Sequence, residues 1–392
     1  MAAALPDGAR VVAPDLEFTS LLFPFLAHAE RGVEVRTVPK ADLVLEGGGV
    51  KGLGLVGAVL HLLREGYAFP RVAGTSAGSI LAAFLAAGVT ADELARIMER
   101  LDYSRVPDRS APGVPGLSEG IGLLHRRGAH PGDYIHRFVT EQLERLDVRT
   151  FADLHRKDRR ADANLAPYRA YKLVVMATDI TRGRLLRLPW DYHLLNLDPD
   201  QQLVADAVRA SISIPLFFEP VTVCDGVSGE QHTLVDGGLL SNFPIEIFDR
   251  TDAAAPRWPT LGVKVIPELP DGSAKLFPGL MLPQLPPLHL LEQVVATAII
   301  GHDQTYLERP CVRRRAIQVD TTEVGIVEFD VGEGKRDAVI ANGERAARAF
   351  LAGWKWKRFK QDCRGLPSDA AAISEDLGAT QPVAGPAQVS AR

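Results

Sequence analysis

Two glycine-rich turns, each set between an apolar strand-like run and a helix-like run, constrain this chain more than any other feature. The first spans residues 43–54, Leu-Val-Leu-Glu-Gly-Gly-Gly-Val-Lys-Gly-Leu-Gly. The second spans residues 72–80, Val-Ala-Gly-Thr-Ser-Ala-Gly-Ser-Ile. Strand–turn–helix repeated at this spacing predicts a parallel sheet with helices packed on it. The predicted elements are a strand at Leu43–Leu45, a helix over Leu53–Glu65, a strand at Arg71–Ala73 and a helix over Ser76–Ala87. Thr90 is the expected cap of a further helix through Leu101, with Asp92 and Glu93 in its first turn.

Each turn carries chemistry as well as geometry. Ser76 sits in a G-x-S-x-G frame, which makes a sharp elbow between strand and helix and exposes a hydroxyl. The earlier loop places free backbone N–H groups at a helix start, where an oxyanion can be held. A nucleophile and an oxyanion binder this close in sequence point to serine acyl transfer. Gly47, Gly49 and Gly52 also satisfy G-x-G-x-x-G, a dinucleotide-binding pattern. That use requires an acidic residue closing the next strand. The next strand here runs instead into Gly74-Thr75-Ser76, and no Gly-Lys pair is followed by the serine or threonine of a P-loop.

A serine needs a proton acceptor. None of the ten histidines lies in a recognisable local motif. His232 is expected in a turn, and His289 and His302 leave a Ser–Asp–His order formally open. Asp236 ends a short apolar run, Thr233–Val235, and is followed by Gly237 and Gly238, which permit close backbone approach. An ordinary surface Asp-Gly turn is the plainer alternative.

The ordered set of motifs resembles the patatin-like phospholipase family. The matching positions are Gly47-Gly48-Gly49-Val50-Lys51-Gly52, then Gly74-Thr75-Ser76-Ala77-Gly78, then Asp236-Gly237-Gly238. Ala177-Thr178-Asp179 and Ala210–Phe218 are similar to further stretches of that family, and the likeness covers roughly residues 41–320. It implies a three-layer α/β/α sandwich with a mostly parallel central sheet. It also implies a Ser76–Asp236 dyad, with an oxyanion hole from the N–H groups around Gly48, Gly49 and Val50, and Lys51 as an anchor of that loop. The implied activity is hydrolysis of carboxylic esters of phospholipids or other acyl lipids, without cofactor or metal. Two alternatives stand beside it. One is a Ser–His–Asp esterase, for which Glu46 replaces the histidine expected before the glycines; the other is a non-catalytic lipid-binding or regulatory module.

The remaining chain gives weaker expectations. Residues 1–40 are expected as an extension with a short helix around Phe18–Glu30, residues 41–345 as the hydrolase domain, 346–364 as the end of a C-terminal helix and 365–392 as a disordered tail. Irregular residues 103–133 are expected to cover the active site. Leu53, Leu55, Ile80 and Phe84 are candidates for an acyl cleft, with core packing as the alternative. Leu203–Ile212 is predicted helical; Lys172–Thr178, Phe217–Val223, Leu261–Ile266 and Ala316–Asp320 are predicted strands, and Gly334–Lys360 a terminal helix. The proline- and leucine-rich residues 267–293, and the interleaved Trp354-Lys355-Trp356-Lys357-Arg358-Phe359-Lys360, allow peripheral contact with a membrane. A net charge of −5 argues against a nucleic-acid partner. Three scattered cysteines suggest no disulfide framework and a reducing compartment. Residues 1–10 lack the basic and apolar regions of a secretory signal, and the expected location is the cytoplasm.

Overall fold

The structure, a computed structural model, describes residues 9–14, 27–31, 34–108, 128–156, 170–250, 256–265, 293–295, 297–299 and 309–364. The chain divides into two compact units, Met1–Ala352 and Gly353–Arg392. In the first unit the strands are β1 (Arg10–Pro14), β2 (Glu34–Val38), β3 (Asp42–Leu45), β4 (Val72–Thr75), β5 (Gly128–His130) and β6 (Leu173–Asp179). They continue as β7 (Arg184–Leu188), β8 (Leu216–Phe218), β9 (Val221–Cys224), β10 (Gln231–Asp236), β11 (Thr260–Lys264) and β12 (Ala316–Gln318). The helices are α1 (Gly52–Arg64), α2 (Ala77–Ala86), α3 (Ala91–Arg100), α4 (Asp133–Arg145), α5 (Val204–Ser211), α6 (Pro310–Arg313) and α7 (Glu333–Gly353). In the second unit α8 spans Trp356–Arg364, and the rings of Trp354, Trp356 and Phe359 lie within 6.5 Å of one another, centroid to centroid.

The centre is an eight-stranded sheet in the order β12-β11-β3-β4-β6-β10-β9, with β7 on β6. From β12 to β6 the pairing is parallel. The pairs β6–β10, β10–β9 and β6–β7 are antiparallel. Helices flank the sheet, giving the expected three-layer α/β/α sandwich. Strands β3, β4 and β6 are buried along their whole length. That matches their unbroken apolar sequence, since a parallel strand covered on both faces has no polar side. At its start β3 is tied to β4 by the buried Asp42, which accepts 2.5 and 3.0 Å hydrogen bonds from the Arg71 guanidinium. Helix α2 packs on β4, β3 and β6, and α5 on β6 and β10.

Helix α7 lies against α1 with backbone touching backbone. A Cβ at Gly57 would stand 1.9 Å from the Ile340 carbonyl, and one at Gly343 would stand 2.2 Å from that of Gly54. Thr90 and Glu93 form a reciprocal capping box at the start of α3.

Several expectations are corrected. The predicted terminal helix Gly334–Lys360 is two helices, because α7 ends at Gly353, a residue that weakly supports helix, and α8 starts at Trp356. The irregular stretch 103–133 contains β5, which pairs with β8, and the run Phe217–Val223 is split between β8 and β9. His232 lies within β10, buried, not in a turn. Within residues 1–40, expected as an extension, β1 and β2 pair in parallel. Of the expected Phe18–Glu30 helix only residues 27–30 fall among the described residues, a turn running into the one-turn Ala29–Arg31. Cys224 is a free, exposed thiol. The run 267–292 and the tail 365–392 lie outside the described residues, as do His289 and His302.

Candidate active site

The site forms where β3, β4 and β10 end. Ser76 follows β4 directly and has φ 50°, ψ −127°, a left-handed conformation that costs energy for a residue with a Cβ. The turn is held because its flanks have no side chains. A Cβ at Gly74 would meet the Gly78 carbonyl at 2.3 Å, and one at Gly78 would meet that of Leu45 at 2.5 Å. The Ser76 N–H donates to Ser211 Oγ at 2.9 Å, and its carbonyl accepts from Ser79 Oγ at 2.6 Å. Thr75 Oγ1 donates to the Ser241 carbonyl at 3.2 Å, joining the elbow to the chain beyond Asp236.

Asp236 comes from β10, which runs antiparallel to β6 on the side of it away from β4. Register brings Thr75 opposite Met176 and Asp236 opposite Ala177, so the two candidates reach the same level of the sheet on either side of β6. A Cβ at Gly237 would stand 2.3 Å from the Met176 carbonyl, so glycine lets the chain turn tightly over β6. The Asp236 carboxyl is 1% exposed. Its Oδ1 accepts from the Gly238 N–H at 2.7 Å, and its N–H donates to the Ser213 carbonyl at 2.9 Å. Burial pushes its pKa up to about 7, while contact with the Ser76 side chain and with the Gly238 N–H works against that rise. Oδ2 is buried and has no hydrogen-bond partner among the described residues.

The glycine loop closes the third side. Gly47 is fixed by paired bonds with Asn242: its N–H donates to the Asn242 carbonyl at 3.2 Å, and its carbonyl accepts from Asn242 Nδ2 at 3.1 Å. A Cβ on Gly47 would come within 3.1 Å of the Ser76 Cβ, and one on Gly52 within 2.9 Å of the Ala77 Cβ. Gly48 and Gly49 donate no backbone hydrogen bond among the described residues. Val50 was expected beside them as an oxyanion donor. The Val50 N–H donates to the Ile326 carbonyl at 2.8 Å. Lys51 Nζ donates to the Thr321 carbonyl at 2.7 Å, and desolvation lowers its pKa. Ahead of the loop the buried Glu46 accepts from Lys264 Nζ at 2.8 Å and from the Val265 N–H at 2.6 Å. Its carboxylate therefore braces β3 against β11.

An apolar pocket, open to solvent, runs from Ser76 between α2, α3 and α4. Ile80 lines it together with Leu81, Met98, Leu101, Ile212 and Phe329. Of the four acyl-cleft candidates only Ile80 does so; Leu53, Leu55 and Phe84 are sealed in the core. The early part of the irregular 103–133 stretch contributes Tyr103 and Val106, and residues 109–127 lie outside the described residues.

Among the described residues no histidine lies in this arrangement. The His232 ring Nδ1 pairs at 2.9 Å with Asp179 Oδ2, an oxygen that also receives Arg184 Nε at 3.2 Å. Among the described residues no cluster of three or more His, Cys, Asp or Glu could hold a metal. Nor is any described helix long and apolar enough to cross a membrane.

Sequence reasoning assigned no role to Asn242, Ser211, Ile326 or Phe329. Ser211 sat inside the stretch Ala210–Phe218 and Asn242 just beyond the Asp236 turn, but nothing local marked their partners. Ile326 and Phe329 belong to a segment with no motif at all.

The family model described as patatin-like phospholipase matches residues 43–249. The chain is 32% identical over 316 residues to the uncharacterized protein YqhO of Bacillus subtilis, covering 80% of this chain and 99% of that protein. It is 27% identical over 321 residues to the uncharacterized NTE family protein MT2641 of Mycobacterium tuberculosis, covering 79% of this chain but only 46% of that one. Among solved structures, VipD from Legionella pneumophila aligns with TM-score 0.45 and 18% identity, covering 80% of this chain and 66% of that one. The ExoU–SpcU complex of Pseudomonas aeruginosa aligns with TM-score 0.42 and 20% identity, covering 80% and 52%. On the family match and the YqhO relationship, the chain belongs to the patatin-like phospholipase family.

Proposed function

We propose that this protein is a serine acyl hydrolase that cleaves carboxylic esters of phospholipids or related acyl lipids through a Ser76–Asp236 dyad. The observation that carries this reading is a strained, buried serine lying against a carboxyl group whose pKa burial raises to about 7. A carboxylate near its ordinary pKa of about 4 is a poor base, and desolvation makes it a competent one near neutral pH. In the first half-reaction Asp236 takes the Ser76 proton as Oγ adds to the ester carbonyl. The tetrahedral oxyanion sits on the N–H groups of Gly48 and Gly49. Collapse expels the alcohol, which leaves with the proton from Asp236, and an acyl-serine remains. Water then attacks, giving its proton to Asp236, and the second collapse returns that proton to Ser76 and frees the fatty acid. The apolar pocket beside Ser76 suits the acyl chain.

Incubating the protein with mixed phospholipids and identifying the products by mass spectrometry tests this. Free fatty acid and lysophospholipid are expected, in equal yield with and without a calcium chelator, since backbone amides serve as the electrophile. Products released only with calcium would overturn the mechanism. The Ser–His–Asp esterase would use His289 or His302, which lie outside the described residues, and it is disfavoured because Glu46 stands where its oxyanion motif expects a histidine. Replacing His289 or His302 with Ala is expected to preserve turnover.

Gly49→Ala tests the oxyanion loop. Gly49 has φ +55°, and a Cβ there would stand 2.1 Å from the Ile326 carbonyl, the same oxygen that holds the Val50 N–H. The substitution should twist the donors away from the ester. Loss of one such donor costs about 10²–10³-fold in kcat, and a fall of that size is expected with a chromogenic ester. Slow labelling of Ser76 by a fluorophosphonate should persist.

A further inference from the structure

We infer that Arg336 reads an anionic group on the substrate, and so sets which acyl esters this site prefers. The inference rests on the lipid-hydrolase reading above and extends it. Tyr103 lines the apolar pocket that begins at Ser76. The Arg336 guanidinium lies over the Tyr103 ring, 5.4 Å from its centroid. Arg336 Nε is buried and makes no hydrogen bond. Asp330, Glu333 and Asp337 are near in sequence, yet among the described residues none forms an ion pair with this side chain. Its neighbour Lys335, by contrast, is paired with Glu328 at 3.1 Å.

A guanidinium held on an aromatic face beside an apolar cleft, and lacking an anion, is poised to receive one. The residue is half-buried with only Nε sealed, and its planar fork of donors matches phosphate or carboxylate oxygens. The anion could belong to the phosphate of a lipid headgroup or to a carboxylate on the acyl chain. Arg336 lies beyond residues 43–249, the part matched by the family model, so this preference would belong to the C-terminal segment of this chain.

The test compares three esters of matched chain length with wild type, Arg336→Gln and Arg336→Lys. They are a monoacyl glycerophosphate, a neutral monoacylglycerol, and the glycerol monoester of a long dicarboxylic acid. A charged hydrogen bond is worth about 1.5–3 kcal/mol, so Arg336→Gln should lower the anionic-to-neutral ratio of kcat/KM by about 10- to 100-fold, mainly through KM. Arg336→Lys should recover part of it. A fall confined to the phosphate ester names the headgroup as the source; a fall confined to the dicarboxylate names the chain. An equal loss on all three esters, or an unchanged ratio, overturns the inference. Failure of the underlying reading would look different: wild type would hydrolyse none of the three, and Ser76 would take no fluorophosphonate label.

Discussion

Ser76→Ala is expected to abolish ester hydrolysis and fluorophosphonate labelling while leaving the fold in place. Without Oγ no acyl-enzyme can form, and what remains is bound substrate beside two backbone donors. Loss of a catalytic serine of this kind lowers kcat by about 10⁶-fold, to the residual rate that binding and the oxyanion donors sustain. The fold should survive because the contacts of Ser76 that hold the elbow are backbone ones: its N–H to Ser211 and its carbonyl to Ser79. The φ of 50° disfavours alanine about as much as serine, so the substitution removes a hydroxyl and little else. The check is mass spectrometry of the labelled protein together with its unfolding curve. Undiminished turnover in a folded variant would remove the serine-hydrolase reading altogether. A cleavage activity lost only because the variant fails to fold would show in the unfolding curve.

The elements around this serine were legible because glycine punctuates them. β3, α1, β4 and α2 are bounded by Gly47–Gly49, Gly66, Gly74 and Gly88, and the strands are too apolar to sit anywhere but the sheet centre. Partners separated by long stretches of chain were not legible. The Ile326 carbonyl accepts from the Val50 N–H, and no local pattern around residue 326 announces it. The acyl-cleft face was ambiguous for a different reason. Helices α1 and α2 are apolar nearly all round, so periodicity cannot say which side meets a pocket and which meets core. Leu53, Leu55 and Phe84 went one way and Ile80 the other. His232 was misplaced because strand β10 is longer than its apolar stretch, extending back through Gln231 and His232, where Asp179 rather than apolar packing satisfies the ring.

Asp236→Asn should lower kcat by about 10³-fold or more, by the measure of losing a general base or its orientation. Asparagine keeps the shape and can still accept the Gly238 N–H, but it cannot take a proton from Ser76. In the wild type, kcat/KM should rise with pH and level off above an apparent pKa near 7, because only the ionised carboxyl is a base. The same burial makes a stability prediction of definite sign. The folded-state pKa is raised above the unfolded value of 3.8, so the fold favours the protonated form. Below pH 4 the carboxyl is neutral in both states and costs nothing extra. As pH climbs through 7 the unfolded chain has already released its proton, and the folded state must either keep it or ionise a buried group. Stability therefore falls across that window, by about 4 kcal/mol at most for a rise from 3.8 to about 7. Asp236→Asn carries no charge to bury. It should unfold like wild type at pH 4 and be the more stable protein at pH 8, though nearly inactive at both. Urea unfolding at the two pH values, read beside initial rates, makes the comparison. An Asn variant that is active, or one that is destabilised equally at both pH values, would show that this carboxyl is neither the base nor a strained group held for that purpose.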